Sequence, residues 1–427
     1  MLSLKRHLGL VTLTLACTLT GGAAGAHGAT RTQPARFPAL DGGGPVVPNI
    51  KVTAMTTAPG GALYAAGVYV VRSKDPYAVN PVGSLGSTWL VSRDHGATWT
   101  RNISTIDPKA FPKNGIAAWT NHEALPIDFT PMSITIDPHN ANTIYVAGCV
   151  DIDATCSQPT PGAGAHLVVH STDGGRTWQD VLTTSTPIVG IGAKPPGTAL
   201  PTAGYAVLVD PRDSRRLYVA MNDVGVLRSE NAGHTWVYVP QPQSNFIGRP
   251  CELLADPLNP RVVYELAREG MLYRTADAGA HWQTRALLGG KLHTNMVTSL
   301  IWIGQAMYVT AENGLYSSTN GGTSWHQVAG TPLPGGFDQS VRLNAGWVST
   351  FSANTRGPIN GLYAIHDGSG WQAVADTDKR GPAYYGALDF RGMDVGYLDT
   401  RLWADRSAGI VFTAGRLGGL YRWQSTL

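Results

Sequence analysis

The stretch "SRDHGATW" occupies residues 92–99, and the chain writes it again as "STDGGRTW" (171–178), "SENAGHTW" (229–236), "TADAGAHW" (275–282) and "STNGGTSW" (318–325). Read by column, Ser or Thr opens the box, Asp or Asn stands third, Gly fifth and Trp last. An Asp or Asn can bond the amides of its own turn. Glycine admits a positive φ, and a hydroxyl adds another side-chain-to-backbone bond. The tryptophan supplies a large apolar surface to bury. Together these are the parts of a tight hairpin packed against something larger. "HDGSGW" (366–371) is a shorter sixth copy.

The third-column residues Asp94, Asp173, Asn231, Asp277, Asn320 and Asp367 lie 79, 58, 46, 43 and 47 residues apart. The last three steps match the length of one four-stranded propeller blade, and the first two leave room for inserted loops. Around the boxes the same strand pattern recurs. "YAVLVDPRDSRRLYVAMNDVGVLRSENAGHTWVYV" (205–239) parses as four short apolar runs separated by Asp-Pro, Asn and Gly turns, and "CELLADPLNPRVVYELAREGMLYRTADAGAHWQTR" (251–285) repeats it. Such runs are strands. Counting units from residue 51 to "GLYRW" (419–423) predicts an all-β chain: a single seven-bladed β-propeller of four-stranded antiparallel blades over residues 50–427. The seventh unit stops after three strands, so the segment 30–49 is expected to close the ring by pairing its 33–50 portion with 419–423, since open edges pair promiscuously.

Composition agrees. Charged residues are only 14% of 427 and hydrophobic ones 43%, with 51 Gly, which suits short strands and tight turns over helices. A formal net charge of +3 without any Lys or Arg run argues against a nucleic-acid partner. Residues 1–29 read as a signal peptide: Lys5 and Arg6, an apolar run at 8–19, then "AAGAHGA" (23–29). That run is too short to span a bilayer, and no other segment is apolar enough to cross one. The expected location is secreted or cell-envelope, with lipidation of Cys17 as an alternative. In an exported chain Cys149 and Cys156, in "CVDIDATC", are expected to form a local disulfide. No metal or cofactor is expected, because "DIDA" (151–154) offers too few carboxylates for calcium.

The consensus S-x-D-x-G-x-T-W is identified as the Asp-box. It resembles the repeats of the sialidase-like, or BNR, propellers, a superfamily that includes xyloglucan-acting hydrolases, the sortilin ectodomain and photosystem II assembly factors. The resemblance covers about residues 50–427 and implies that the boxes sit on the face opposite the substrate site. Two features depart from it. The Phe/Tyr-Arg-Ile-Pro signature of sialidases is missing, "ARFPAL" (35–40) being a faint echo, and a xyloglucanase of this kind needs two propellers.

Chemistry is therefore expected on the other face, in the crossings between units and the loops joining second to third strands. The carboxylates there are Glu123, Asp128, Glu252, Glu269, Glu312 and Asp338, from which a glycosidase could draw its pair about 5–10 Å apart. Ligand-binding candidates are Trp119, His122, Arg249, Arg268, Arg356, Tyr384, Tyr385 and Arg416. The primary expectation is a monomeric platform for a glycan or a surface protein, with exposed aromatic rings as anchors. The alternative is a glycoside hydrolase, sialidase-like or of another exo-acting kind.

Overall fold

The structure is a computed structural model that describes residues 46–72, 82–103, 119, 121–150, 164–190, 203–221, 225–239, 250–267, 271–287, 297–311, 314–330, 336–352, 361–366, 372–375, 401–414 and 419–424. The predicted leader, Cys156 and the sixth box at 367–371 lie outside them.

All the described regular structure is β, as the alternating apolar runs require. Blade 1 comprises β1 (Ile50–Thr57), β2 (Leu63–Arg72), β3 (Val82–Ser92) and β4 (Thr100–Ile103). Blade 2 comprises β5 (Phe129–Asp137), β6 (Asn140–Val150), β7 (His166–Ser171) and β8 (Gln179–Thr183). A two-residue strand, β9 (Ile188–Val189), follows. Blade 3 comprises β10 (Gly204–Asp210), β11 (Asp213–Met221), β12 (Gly225–Ser229) and β13 (Trp236–Val239), and β9 pairs in parallel with its outer strand β13. Blade 4 comprises β14 (Pro250–Ala255), β15 (Val263–Ala267), β16 (Met271–Thr275) and β17 (Trp282–Ala286). Blade 5 comprises β18 (Val297–Ile303), β19 (Ala306–Ala311), β20 (Gly314–Ser318) and β21 (His326–Gly330). Blade 6 comprises β22 (Gly336–Arg342), β23 (Gly346–Ser352), β24 (Gly361–His366) and β25 (Gln372–Ala375). A last sheet holds β26 (Arg401–Asp405), β27 (Ile410–Ala414) and β28 (Leu420–Gln424).

The expectation of seven four-stranded blades is thus corrected: among the described residues six blades carry the four-stranded antiparallel core, and the last sheet has three strands. On its outer edge Val47 makes a single antiparallel bridge to Leu420, with Leu420 N–H donating to Val47 O at 2.9 Å and Gly419 N–H to Ile50 O at 2.7 Å. The parallel edge strand β9 is a second departure, because a two-residue piece leaves no periodic signal.

The first strands pack side by side in the order β1, β5, β10, β14, β18, β22, β26 and back to β1. The core lies in the seams between sheets. Trp89, Phe129 and Trp178 fill the seam between blades 1 and 2, Trp236 and Leu217 that between 2 and 3, and Tyr218 and Trp282 that between 3 and 4. Trp178 and Trp236 have no exposed surface, so truncating either to Ala should cost about 3–5 kcal/mol.

Candidate functional site

The boxes come first, because five repeated carboxylate or amide side chains look like a site. Each lies in the hairpin between the third and fourth strands of its blade. In blade 2 Ser171 Oγ donates to Asp173 Oδ1 at 2.7 Å, Thr177 N–H to the same oxygen at 2.9 Å, and Thr177 Oγ1 to Oδ2 at 2.6 Å. Gly175 N–H donates to Ser171 Oγ at 2.8 Å. The pattern repeats at Asp94, Asn231, Asp277 and Asn320. Burial opposes ionisation of Asp173, but bonds from Thr177, Ser171 and Arg176 outweigh it and hold its carboxyl at about 2. Asp94, held chiefly by Thr98, and Asp277, where His281 bonds overcome burial, also sit at about 2. These acids are ionised, and both oxygens of each are engaged by its own turn, which marks them as turn formers.

The boxes also fix which end of the ring is which. Gly174 N–H donates to Asn142 O, Ala232 N–H to Arg215 O and Ala278 N–H to Arg261 O, tying these three boxes to the hairpin between the first and second strands of their own blades. The crossings between blades and the loops joining second to third strands therefore emerge at the opposite end. There the first strands begin, and their entering ends form the mouth of the ring.

That mouth carries a device the sequence did not reveal. Six of the seven first strands have a β-bulge near the same place: at Thr53, Met132, Tyr205, Cys251, Thr298 and Asp338. A bulge inserts an extra residue, sharpens the local twist and re-aims side chains, which is why bulges gather at barrel rims and beside sites. Next to the bulges, side chains reach from one first strand to the next. Thr53 Oγ1 donates to Pro131 O at 2.5 Å, Val207 N–H donates to Ser133 Oγ at 3.3 Å, and Leu300 N–H donates to Glu252 Oε2 at 2.8 Å. Met132 and Tyr205 bury themselves with Cys149 and Ala203. Cys149 is disulfide-bonded.

Of the sequence-predicted residues, Asp128 stands one position before β5 and is buried, Glu252 is the third residue of β14, and Asp338 is the bulged residue of β22. The topology thus places all three at entering ends of first strands, in blades 2, 4 and 6. Glu252 spends one oxygen on the seam between blades 4 and 5. Glu123 is exposed and offers its backbone carbonyl to Asn102. Arg249, Arg268, Glu269, Glu312, Arg356, Tyr384, Tyr385 and Arg416 lie outside the described residues.

Trp119 and His122 do not reach the mouth. They sit off-axis, where the crossing from β4 to β5 covers blades 1 and 2. The Trp119 indole N–H donates to Asn121 O at 2.9 Å and Ala124 O at 3.1 Å. His122 lies 4.6 Å from its ring, and His166 5.3 Å from it edge-on. His166 Nδ1 donates to Asp180 Oδ1 at 2.8 Å. Neither His166 nor Asp180 was legible as functional, because they belong to different strands and meet only through the hairpin β7–β8, whose register slips twice. Glu265, a carboxylate only 1% exposed on β15, was missed too. A charged residue inside the apolar run "VVYELA" was the available signal.

Among the described residues no group of three or more His, Cys, Asp or Glu is placed to hold a metal ion, and no helix is long and apolar enough to cross a membrane. No family model matches the chain. It is 29% identical over 201 residues to a xyloglucanase of Paenibacillus sp, covering 47% of this chain and 16% of that protein. A xyloglucanase of Hypocrea jecorina is 29% identical over 201 residues, covering 47% of this chain and 20% of that one. The matches span less than a quarter of those enzymes' lengths. Among solved structures, the GH74 xyloglucanase from Xanthomonas campestris superposes with a TM-score of 0.56 at 16% identity, over 89% of this chain and 53% of the other. YCF48 bound to D1 peptide gives 0.50 at 15% identity, over 89% of this chain and 95% of that one. At such identities the likeness shows the fold, a β-propeller.

Proposed function

We propose that the chain is an exported propeller that binds a glucan chain of the xyloglucan class at the mouth of the ring. The observation that carries this is the repeated bulge: six first strands open with the same distortion, and three of them bring Asp128, Glu252 and Asp338 to the rim. Carboxylates accept hydrogen bonds from sugar hydroxyls, and a concave rim with few convergent polar groups is the ordinary form of a ligand site. The ligand class comes from the xyloglucanases that the chain resembles. Because the chain spans so little of those enzymes, their ligand is adopted and their reaction is not. The boxes support kinship with the sialidase-like superfamily, and the three-stranded last sheet, completed by the segment before Ile50, supplies a seventh blade. Cys156 is the proposed partner of Cys149: Cys251 lies in blade 4, with blade 3 between it and Cys149, and a disulfide needs Cα atoms within about 7 Å.

Hydrolysis is the second reading, favoured by the fact that the curated relatives are themselves glycoside hydrolases. It would require one carboxyl at the rim to be protonated and another ionised. Affinity electrophoresis through gels containing xyloglucan, paired with a reducing-end assay, separates the two. Retardation without new reducing ends is the expected result. New reducing ends, lost in Asp128→Asn or Asp338→Asn, would replace binding by hydrolysis. Neither retardation nor cleavage would end the glucan reading.

A further inference from the structure

Between β4 and β5, Trp119 and residues 121–128 are described, and this part of the crossing contacts blade 2 at His166 and Trp178. Three aromatic rings meet there. Trp119 is half-buried, with its indole N–H fixed by two carbonyls. His122 is exposed, and its Nδ1 is 3.2 Å from Trp178 O, so that nitrogen carries the proton and Nε2 is left as an acceptor. His166 is 5% exposed and turns Nδ1 to Asp180. In the tautomer that the carboxylate selects, the proton sits on Nδ1 and the other nitrogen is an acceptor. That nitrogen is buried and, among the described residues, has no hydrogen-bond partner. A buried polar atom left unpaired is costly and calls for an explanation.

We propose that this seam between blades 1 and 2 is a second docking site, for one neutral pyranose ring, in which the sugar lies against Trp119 and His122 and one of its hydroxyls donates to His166 Nε2. The inference rests on the glucan reading and gives that reading a place away from the axis. The chemistry selects the ligand. Two imidazole acceptors call for a partner that donates hydrogen bonds, as sugar hydroxyls do. The C–H face of a pyranose matches an indole whose orientation is already fixed, so little rotamer freedom is lost on binding. Asp180 and exposed Glu123 disfavour an anion.

The test uses the full mature chain and a xyloglucan oligosaccharide. Imidazole 15N resonances are followed during titration, with affinity measured by calorimetry. The expected result is a shift of the His166 Nε2 resonance that saturates with ligand. Trp119→Ala should weaken this binding by about tenfold, while Trp119→Phe, which keeps a ring face, should weaken it far less. Because Trp119→Ala removes core contacts, the wild-type resonance decides if that variant fails to fold. A ligand that binds while His166 stays unmoved would overturn the second site and leave the glucan reading standing. No binding at all would overturn both.

Discussion

Asp94, Asp173 and Asp277 are each held by their own turns at about 2. A carboxyl whose folded value is depressed gives stability that is complete above its unfolded value, about 4, and is lost as pH falls through the folded value. Thermal melts should therefore show stability declining between about pH 4 and pH 2. The triple variant Asp94→Asn, Asp173→Asn, Asp277→Asn should decline less steeply, since Asn231 and Asn320 already serve in the same role. An equally steep decline in the variant would contradict the assignment. The fourth column of the box is a further residue-scale finding. His95, Ala232 and Ala278 have positive φ of 55°, 57° and 57° although none is glycine. Ala232 and Ala278 also donate their N–H groups to the first hairpin of their own blades. The fifth-column glycines face a different demand. Gly279 has φ +81° and a Cβ there would lie 2.6 Å from Tyr218 Cε1 of the preceding blade, whereas Gly60, φ +97°, has open space. Gly279→Ala should cost about 2–4 kcal/mol, strain plus overpacking, and Gly60→Ala about 1–2 kcal/mol from strain alone. Chemical denaturation would compare them, and equal losses would show that the blades do not meet at this glycine.

At the scale of strands and blades, the boxes are joints. The hairpins of blades 2, 3 and 4 bond the first turn of their own blade, and the box glycines press on the blade before, as Gly175 does on Trp89. The seam between blades 2 and 3 adds a proton-sensitive element. His170 on β7 packs beside Tyr145, and burial, with His234 nearby, lowers its affinity for a proton. A histidine depressed in this way charges first in the unfolded chain, so its contribution is whole above the ordinary value near 6.5 and shrinks as pH falls below it. His170→Gln should flatten the stability profile between about pH 7 and pH 5. A profile unchanged by the substitution would place that sensitivity elsewhere. The five boxes could be read directly from the sequence because their bonds join residues two to four apart, and strands such as 205–210 because short apolar runs between turn residues mark them. The bulges at Met132, Cys251 and Asp338 could not, since a bulge is a relation between two strands.

At the scale of the molecule, the first blade meets the last sheet. His95 Nδ1 donates to Asp405 Oδ2 at 2.7 Å, and Arg422 Nε–H to His95 O at 2.9 Å. Trp99 lies edge-on to Phe412, while Val47, Ile50, Leu420 and Ala414 share one cluster. Asp405 is 3% exposed and its other oxygen accepts from Ser407 and Ala408. Asp405→Ala should cost about 2–3 kcal/mol. A double-mutant cycle with His95→Ala should return a coupling of at least about 0.5 kcal/mol. Additive losses would mean that this contact does not hold the first blade to the last sheet. Deleting residues 34–47 should lower the melting temperature and promote aggregation through the bared edge of β28. A deletion variant as stable as its parent would show that Val47 is incidental to closure.

The sequence by itself determined the all-β character, the hairpin in each box and the repeating blade, because turn bonds and strand alternation are written in residues close together. The tertiary structure decided the rest. That six first strands bulge at the rim, and that His166 meets Asp180 beneath Trp119, depend on pairing register and on distant segments brought side by side. Such relations have no local signature, so the position of the candidate sites became visible only when the ring was assembled.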